Sequence, residues 1–185
     1  MQTRKTKIIK TLVLGNKNIG KTSFIERYFS GDFETESKTK SKIKDIPFSF
    51  SIQSSSTFSI QSHKFTRVFE VHESEEYIPN FDCYILMFDI NDLETYKDLL
   101  RFIEILKPNK INNVLKPFVI VGNKCDIMSD TTMREFSKVL DTDLYERVIT
   151  FSCKSCYNID KPFLKLIREI ERNENIIYYE ELKRN

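Results

Sequence analysis

The sequence predicts an α/β fold with a mostly parallel, six-stranded sheet, helices on both faces and one antiparallel hairpin at the edge. The first observation is that segments of strand and helix character alternate along the chain, a pattern typical of parallel sheets. The second is Asp82–Ile90, a nearly continuous apolar run of the kind found in strands buried on both faces. The third is the stretch 46–71, where apolar and polar residues alternate on both sides of a Ser-rich middle, as in a long antiparallel hairpin.

The individual elements follow in order. Lys7–Gly15 is a short β-branched run that ends in glycine, and it predicts the first strand. Gly20–Gly31 has apolar side chains at helical spacing, with Gly31 as the stop signal. After the hairpin and the buried strand Asp82–Ile90, the remaining predicted elements are a helix over 93–106, a strand over 117–126, a helix over 133–140, a strand over 147–155 and a long closing helix over 160–183.

The size and charge of the chain limit the class of protein. A length of 185 residues is most economically a single domain, over 1–185. Lys and Arg number 29 against 27 Asp and Glu, and a net charge of +2 gives no reason to expect nucleic acid as a partner. No apolar run reaches the length of a membrane-spanning helix, and the N-terminal residues lack the apolar stretch of a signal peptide. The stretch YYEELKRN at the end contains no cysteine for a prenyl anchor, so membrane association is an open question.

The cysteines point to a reducing compartment. Cys83, Cys125, Cys153 and Cys156 do not resemble a secreted disulfide framework, and we expect a cytoplasmic protein. Cys153 and Cys156 form a C-x-x-C pair. Zinc or redox chemistry would need a second such pair or a histidine partner, so incidental spacing is the favoured interpretation.

The stretch GNKNIGKT, residues 15–22, fits G-x-x-x-x-G-K-[ST] and lies between a predicted strand and a predicted helix. The backbone N–H groups of such a loop, together with the N-terminus of the following helix, bind an anionic phosphate chain. We expect Lys21 to reach the outer phosphates and the Thr22 hydroxyl to ligate Mg²⁺. Asn18 tolerates the left-handed backbone that such a loop requires. The predicted phosphate-binding residues are Gly15, Asn16, Lys17, Asn18, Ile19, Gly20, Lys21, Thr22 and Ser23.

Two further motifs lie at the ends of predicted strands: NKCD at Asn123–Asp126 and SCK at Ser152–Lys154. With these motifs and with MFDINDLETYKDL over 87–99, the chain resembles the Ras superfamily of small GTPases, and within it the Rab-like branch, over essentially its whole length. The resemblance implies the P-loop NTPase fold of the small GTPases, GTP or GDP as ligand and Mg²⁺ as cofactor. It also implies effector and regulatory proteins as partners at the switch face.

The same resemblance assigns the guanine contacts. Asp126 would accept two hydrogen bonds from guanine, and adenine offers no such donor pair. Asn123 would tie the base loop to the phosphate loop, and Ser152 would support Asp126. The remaining contacts are assigned to the stem of Lys124 on the ring face, the Cys153 N–H at guanine O6, Lys154 beside the base, and Phe33 as the aromatic cover.

The second switch departs from the family pattern. The family sequence D-T-A-G-Q, aligned without gaps, becomes His72, Glu73, Ser74, Glu75 and Glu76. His72 is a poor partner for Mg²⁺, which prefers oxygen ligands, and Glu76 stands where the family glutamine orients the attacking water. A carboxylate such as Glu75 at about 6 Å repels each phosphate charge by about 2–3 kcal/mol at an effective dielectric constant near about 20. Because exposed acids can turn into water, we expect nucleotide binding to survive and hydrolysis to be impaired. No catalytic residue is predicted, although Lys17 is placed to offset Glu75 or to crowd out an arginine from an activating protein.

The first switch has no unique counterpart to the family threonine that closes over Mg²⁺. A gap-free count reaches Lys40, with Thr39 and Ser41 on either side. The stretch TES at 35–37 matches a Rab-like sequence and, with a one-residue shift, nominates Ser41 as a second metal ligand beside Thr22.

Two functions remain open at this stage. The leading hypothesis is a Rab-like guanine-nucleotide switch with weak or absent intrinsic GTP hydrolysis, with a role in vesicle traffic that rests on family analogy. The alternative is a pseudo-GTPase whose partner binding does not depend on nucleotide. A phosphotransferase on the same loop would need an acceptor pocket and an arginine-bearing lid, and the NKCD motif gives it no support.

Overall fold

A computed structural model of the chain describes residues 7–30, 43–56, 59–106, 116–140, 144 and 147–178. The strands are β1 (Ile8–Leu14), β2 (Ile43–Ser56), β3 (Ser59–Ser74), β4 (Cys83–Asp89), β5 (Phe118–Asn123), β6 (Val148–Thr150) and β7 (Ile176–Tyr178). The helices are α1 (Lys21–Ser30), α2 (Leu93–Leu106), α3 (Asp130–Val139) and α4 (Lys161–Glu171), with a 3₁₀ turn at Cys125–Ile127. The predicted alternation of strands and helices is therefore observed.

These strands form one sheet in the order β6-β5-β4-β1-β3-β2-β7. The strands β6, β5, β4, β1 and β3 pair in parallel, and β2 runs antiparallel to β3. This arrangement confirms the predicted fold, with its parallel core and antiparallel hairpin. The residues at the hairpin turn, 57–58, lie outside the described part of the chain.

Helices cover both faces of the sheet, as predicted. On one face α1 and α4 pack over β1, β3 and β4 through residues such as Phe24 and Phe163. On the other face α2 and α3 pack over β4 and β5 through residues such as Tyr96 and Phe136. Because the carboxyl ends of parallel strands meet at one edge of the sheet, the loops after β1, β3, β5 and β6 lie together there.

The ring of Phe163 fixes α1, the helix that follows the phosphate loop. Its centroid lies 5.6 Å from that of Phe24 in α1 and 4.9 Å from that of Phe69 in β3. Aromatic pairs of this kind contribute about 0.5–1.5 kcal/mol each beyond the burial of their area. The start of α1 is thereby held against the end of β3.

The C-terminal region differs from the sequence prediction. A single helix was expected over 160–183, but α4 ends at Glu171 and Arg172 adopts a left-handed conformation with φ 51°. Beyond it, Ile176 is fully buried, and its carbonyl accepts two hydrogen bonds from the guanidinium of Arg168. The burial of Ile176 and the open edge of β2 therefore override the helical pattern. Strand β7 pairs with Phe50–Ile52, so the sheet has seven strands rather than the predicted six.

The end of β3 also differs from the prediction. The apolar pattern suggested that the strand stops near Val71, but β3 continues to Ser74. Its pairing with β1 runs to the last residue of both strands, Leu14 opposite Ser74. His72 and Glu73 therefore lie on a paired strand rather than in a loop.

Candidate functional site

The phosphate loop lies between β1 and α1, and its backbone leaves no room for other residues at its two glycines. A Cβ at Gly15 would collide with the carbonyl of Met87, and one at Gly20 would lie 2.5 Å from Nδ2 of Asn123. Asn18 adopts the left-handed conformation, with φ 61°, as the sequence suggested. The loop therefore has the close backbone approach on which phosphate binding depends.

Lys21 at the start of α1 is buried under the loop. Its Nζ donates to the carbonyl oxygens of Gly15 at 3.0 Å and Asn16 at 2.7 Å. Burial lowers the pKa of Lys21 below its ordinary value, and the carboxylates of Glu73 and Glu75 oppose that shift. The cation is thus directed into the curve of the loop.

The base loop is joined to the phosphate loop through Asn123. Its Nδ2 donates to the carbonyl of Ile19 at 2.8 Å, which is the link that the resemblance assigned to it. Its Oδ1 accepts from the Cys153 N–H at 3.1 Å. That N–H was assigned to guanine O6, and in this structure it supports Asn123 instead. The loop after β6 is thereby fixed to the end of β5.

Asp126 is oriented by the neighbouring loop. The hydroxyl of Ser152 donates to Oδ1 of Asp126 at 2.6 Å and accepts from the N–H of Ser155 at 3.1 Å. Among the described residues, Oδ2 of Asp126 has no protein partner. The support that Ser152 was expected to give is present, and one carboxylate oxygen is left for a ligand.

Lys124 lies between the two loops in a left-handed conformation, with φ 65°. Its Nζ donates to the carbonyl of Asn18 at 3.0 Å and pairs with Oδ2 of Asp89 at 2.7 Å. The aliphatic stem is consequently held in line with the base pocket. Asp89, at the end of β4, was not identified from the sequence.

Two adjoining clefts are built on these loops. The smaller, of about 270 Å³, is lined by residues of the base loops, including Asn123, Lys124, Asp126, Cys153 and Lys154. The larger, of about 820 Å³, is lined by the phosphate loop and by Glu73–Glu76. Asn18, Gly20 and Ser23 line both, so the two clefts are continuous.

The larger cleft contains a contact that the sequence reasoning missed. Oγ1 of Thr22, the predicted Mg²⁺ ligand, donates to both carboxylate oxygens of Glu73, at 3.0 and 2.8 Å. The gap-free alignment had assigned the acidic family position to His72. That assignment is wrong, because His72 lies on the face of β3 opposite to Thr22. Its Nε2 is 2.8 Å from Oε1 of Glu70, and its ring packs against Phe81.

The alternation of β3 explains the error and contains the signal that could have prevented it. Val71 is buried on the face that carries α1, and successive side chains of a strand point to opposite faces. Glu73, two residues after Val71, therefore faces α1, whereas His72 faces away. Extending the predicted strand to Ser74 would have identified Glu73 as the neighbour of Thr22.

The remaining acids lie at the mouth of the larger cleft. Glu75 pairs with Lys17 at 3.8 Å, with side chains that are 48% and 78% exposed. The offset between these two charges, which the sequence suggested, is therefore seen as an ion pair. The N–H of Glu76 donates to the hydroxyl of Ser74 at 3.0 Å, so this short turn is locally ordered.

Several predicted residues fall outside the described part of the chain. These are Phe33, expected to cover the base, and the first-switch candidates Thr39, Lys40 and Ser41.

The C-x-x-C pair has two different environments. Cys153 is buried, which raises the pKa of its thiol to about 12, whereas Cys156 is exposed and its sulfur accepts from Nε of Arg27 at 2.7 Å. In the part of the chain that is described, no group of three or more His, Cys, Asp or Glu side chains could hold a metal.

The residues of the site fit a nucleotide phosphate with Mg²⁺. The Thr22 hydroxyl keeps its lone pairs when it donates to Glu73, and the Glu73 carboxylate adds the hard oxygen donors that Mg²⁺ prefers. The glycine-lined loop and Lys21 supply the donors for phosphate. Both features are properties of these side chains and this backbone.

A phosphate loop after β1, a carboxylate after β5 and a parallel sheet between them define a nucleotide-binding protein of the P-loop class. The sequence model of the Ras family matches residues 10–172 of the chain. This protein belongs to the Ras family, and it is a small GTP-binding switch protein. Members of the family generally bind guanine nucleotide with Mg²⁺ and interact with effectors and regulators. Within the described residues, no helix is both long enough and apolar enough to span a bilayer.

Proposed function

We propose that this Ras-family protein is a Rab-like guanine-nucleotide switch with weak GTP hydrolysis, a single domain over 1–185, acting in the cytoplasm and in vesicle traffic. Nucleotide binding is supported by the position of Asp126. Its carboxylate accepts a hydrogen bond from Ser152 at 2.6 Å, and it lies in a pocket that continues into the phosphate cleft. Support for the Rab-like part comes from the stretches MFDINDLETYKDL and TES. The vesicle role rests on that resemblance.

The proposed nucleotide-binding residues are those of the phosphate loop with Ser23, and the base residues Asn123, Lys124, Asp126, Ser152, Cys153, Lys154 and Phe33. Lys21 binds the outer phosphates, and Asp126 accepts two hydrogen bonds from the guanine edge. Thr22 ligates Mg²⁺ together with Ser41 from the first switch. Bound Mg²⁺ would supply positive charge beside the phosphates.

Weak hydrolysis follows from the chemistry at the second switch. A carboxylate such as that of Glu76 can accept a hydrogen bond from water but, when ionised, has no N–H to donate toward a phosphate. Glu75 adds a negative charge at the mouth of the same cleft. The contact of Glu73 with Thr22 moves the alignment by one residue, so that Tyr77 falls at the family glutamine position. None of these three side chains supplies the amide with which a glutamine orients a nucleophilic water.

Single-turnover GTP hydrolysis tests this half of the proposal. We expect a rate well below that of a Ras-family protein carrying the family glutamine, measured side by side as the matched control. Tyr77→Gln should raise the rate more than Glu76→Gln, because the alignment that starts at Glu73 puts Tyr77 at the family glutamine position. A parent rate equal to that of the control would refute weak hydrolysis and leave nucleotide binding standing.

One observation favours a second candidate, the pseudo-GTPase. At the phosphate end, two polar side chains have partners within the protein, since Lys21 donates to loop carbonyls and Thr22 donates to Glu73. A protein of this kind would present one surface whatever nucleotide is present. Equilibrium titration with GDP and GTP, with and without Mg²⁺, separates the two: no binding of either nucleotide favours the pseudo-GTPase.

A further inference from the structure

The connection between β3 and β4, residues 75–82, is held against both of the strands that it joins. Tyr77 and Phe81 are partly buried and pack against the core on the α2 face of the sheet. The Tyr77 ring stacks on that of Tyr84 in β4, with centroids 5.6 Å apart. The Phe81 ring lies edge-on to that of His72 in β3, at 5.0 Å. Two aromatic side chains therefore anchor the connection, one to each strand.

Hydrogen bonds fix the end of the same connection to two further parts of the sheet. Nζ of Lys116, just before β5, donates to the carbonyl of Phe81 at 2.7 Å. The Asp82 N–H donates to the carbonyl of Lys10 in β1 at 2.8 Å, and the Asp82 carboxylate accepts from the Lys10 N–H at 2.8 Å. The partners of this segment thus belong to the sheet, which moves little.

The start of the connection, which lies nearest the phosphates, offers a terminal phosphate little attraction. The larger cleft is lined here by Glu73–Glu76. The side chains of Glu75 and Glu76 repel an anion, and the Glu76 N–H already donates to the Ser74 hydroxyl at 3.0 Å. A ligand shifts a conformational equilibrium only by the difference in its affinity for the two conformations. The added phosphate of GTP therefore supplies little free energy for moving this segment.

A segment that switches usually has the opposite properties. It comes from the less stable parts of a fold, with few buried apolar contacts, and in GTPases the switch loops are ordered by contacts with the terminal phosphate and its Mg²⁺. Residues 75–82 instead have buried aromatic anchors and hydrogen bonds to the sheet. Their conformation is set by the fold rather than by the ligand.

We propose that residues 75–82 keep one conformation in the GDP-bound and the GTP-bound protein. The inference rests on the proposed function, because it requires that both nucleotides bind. A partner protein that contacts this connection then does not distinguish the two forms. The nucleotide acts on partners through other segments of the chain.

The test is NMR spectroscopy of the ¹⁵N-labelled full chain with Mg²⁺, loaded with GDP or with a non-hydrolysable GTP analogue. Between the two forms, the amide signals of residues 77–82 should shift no more than those of β7, at the far edge of the sheet. Their order parameters should be about 0.85 in both forms, the value of a rigid backbone. The amide signals of the phosphate loop, residues 15–23, should differ between the forms, which confirms that both nucleotides are bound.

A first variant tests whether a hydrogen bond to the sheet fixes the connection. Lys116→Met removes the donor to the Phe81 carbonyl and keeps an apolar side chain of similar length. The order parameters over 77–82 should fall from about 0.85 toward about 0.6, the range of a flexible backbone. The matched control is Lys97→Met on α2, where the lysine is 51% exposed and pairs with Glu94, and it should leave them unchanged.

A second variant removes an aromatic anchor. Tyr77→Ala deletes the ring that stacks on Tyr84, and it should lower the same order parameters. A thermal melt checks that this variant is folded. If it is not, Lys116→Met decides, because it changes the end of one side chain and leaves the aromatic core intact.

The outcomes are distinguishable. Signals of residues 77–82 that shift more than those of β7, or order parameters that are low in either form, overturn the inference and leave the proposed function intact. Parental order parameters in the folded variants also overturn it, since these contacts would then not fix the connection. A chain that binds neither nucleotide overturns the proposed function and the inference with it.

Discussion

The base pocket and the phosphate cleft meet at Gly20, and their polar groups are satisfied in different ways. In the base pocket Ser152 and Asn123 bond to their neighbours and leave Oδ2 of Asp126 without a protein partner among the described residues. In the phosphate cleft Thr22 is already bonded to Glu73, and Lys21 donates to the loop itself.

The difference indicates that the base pocket is preorganised for guanine. In the phosphate cleft, the protein's own contacts must be replaced or displaced when phosphate binds. Guanine can bond to Asp126 without breaking a protein contact, because the donors around it are already fixed. A bound phosphate must replace the loop carbonyl oxygens as the hydrogen-bond partner of Lys21. It must also lie near the negative charge of Glu73. Affinity should therefore come mostly from the base end, and discrimination between nucleotides mostly from the phosphate end.

The largest expected effect comes from removing the carboxylate of the base pocket. Asp126→Ala loses two hydrogen bonds to guanine, each worth about 1.5–3 kcal/mol when one partner is charged, so GDP affinity should fall by about a hundredfold or more. Titration with GDP measures it, and the thermal shift given by added GDP should disappear. Glu135→Ala, an exposed acid on α3, is the control. Unchanged affinity in Asp126→Ala would mean that the base does not bind there.

The next effect comes from the junction between the two clefts. Gly20→Ala places a Cβ 2.5 Å from Nδ2 of Asn123 at a residue with φ 96°, so the bond from Asn123 to Ile19 should break. We expect a loss of about 1–3 kcal/mol in the free energy of unfolding, measured in urea, together with weaker binding of GDP. A variant with the parent's stability and the parent's GDP affinity would show that the base pocket and the phosphate cleft do not depend on the hydrogen bond from Asn123 to Ile19.

A smaller effect is expected at the support of Asp126. Ser152→Ala removes the hydroxyl that donates to Oδ1 of Asp126 at 2.6 Å, so the carboxylate is less well oriented. We expect the free energy of GDP binding to weaken by about 1 kcal/mol, which is about fivefold in affinity. Ser137→Ala, whose hydroxyl bonds only within α3, serves as the control for loss of a serine hydroxyl. An affinity loss equal to that of Asp126→Ala would mean that Ser152 holds the whole loop rather than one carboxylate.

The smallest expected effect is a pH dependence at the phosphate end. The pKa of Lys21 lies below its ordinary value of 10.5 because the side chain is buried. As the pH rises toward 10.5, Lys21 loses its proton earlier than an exposed lysine, and affinity for GDP should fall by a few-fold. In the nucleotide-free protein the sign is opposite: between the lowered pKa and 10.5 the unfolded chain binds more protons, so the free energy of unfolding rises with pH.

Titration of GDP and thermal melts across the alkaline range measure these two trends. Lys21→Arg, which keeps its charge over that range, is the control, and its affinity should not fall in the same interval. A parent whose affinity is flat with pH would show that the charge of Lys21 does not contribute to binding.

The sequence by itself determined the order of elements, the phosphate loop and the two base motifs. These features depend on neighbours along the chain: the apolar runs of β4 and β5, glycines at Gly15 and Gly20, and short motifs that follow directly from a strand. The contacts of Asn123 with Ile19 and of Ser152 with Asp126 were predictable because the carboxyl ends of parallel strands meet at one edge.

Tertiary structure decided two of the places where the predictions were wrong. Strand β7 forms because the edge of β2 is open to Ile176 from a distant part of the chain, and long-range burial outweighs local helix propensity. Glu73 rather than His72 meets Thr22 because pairing with β1 extends β3 to Ser74 and fixes which face each side chain takes. A linear alignment gives the position of a residue along the chain, whereas the face that its side chain occupies is set by the strand beside it.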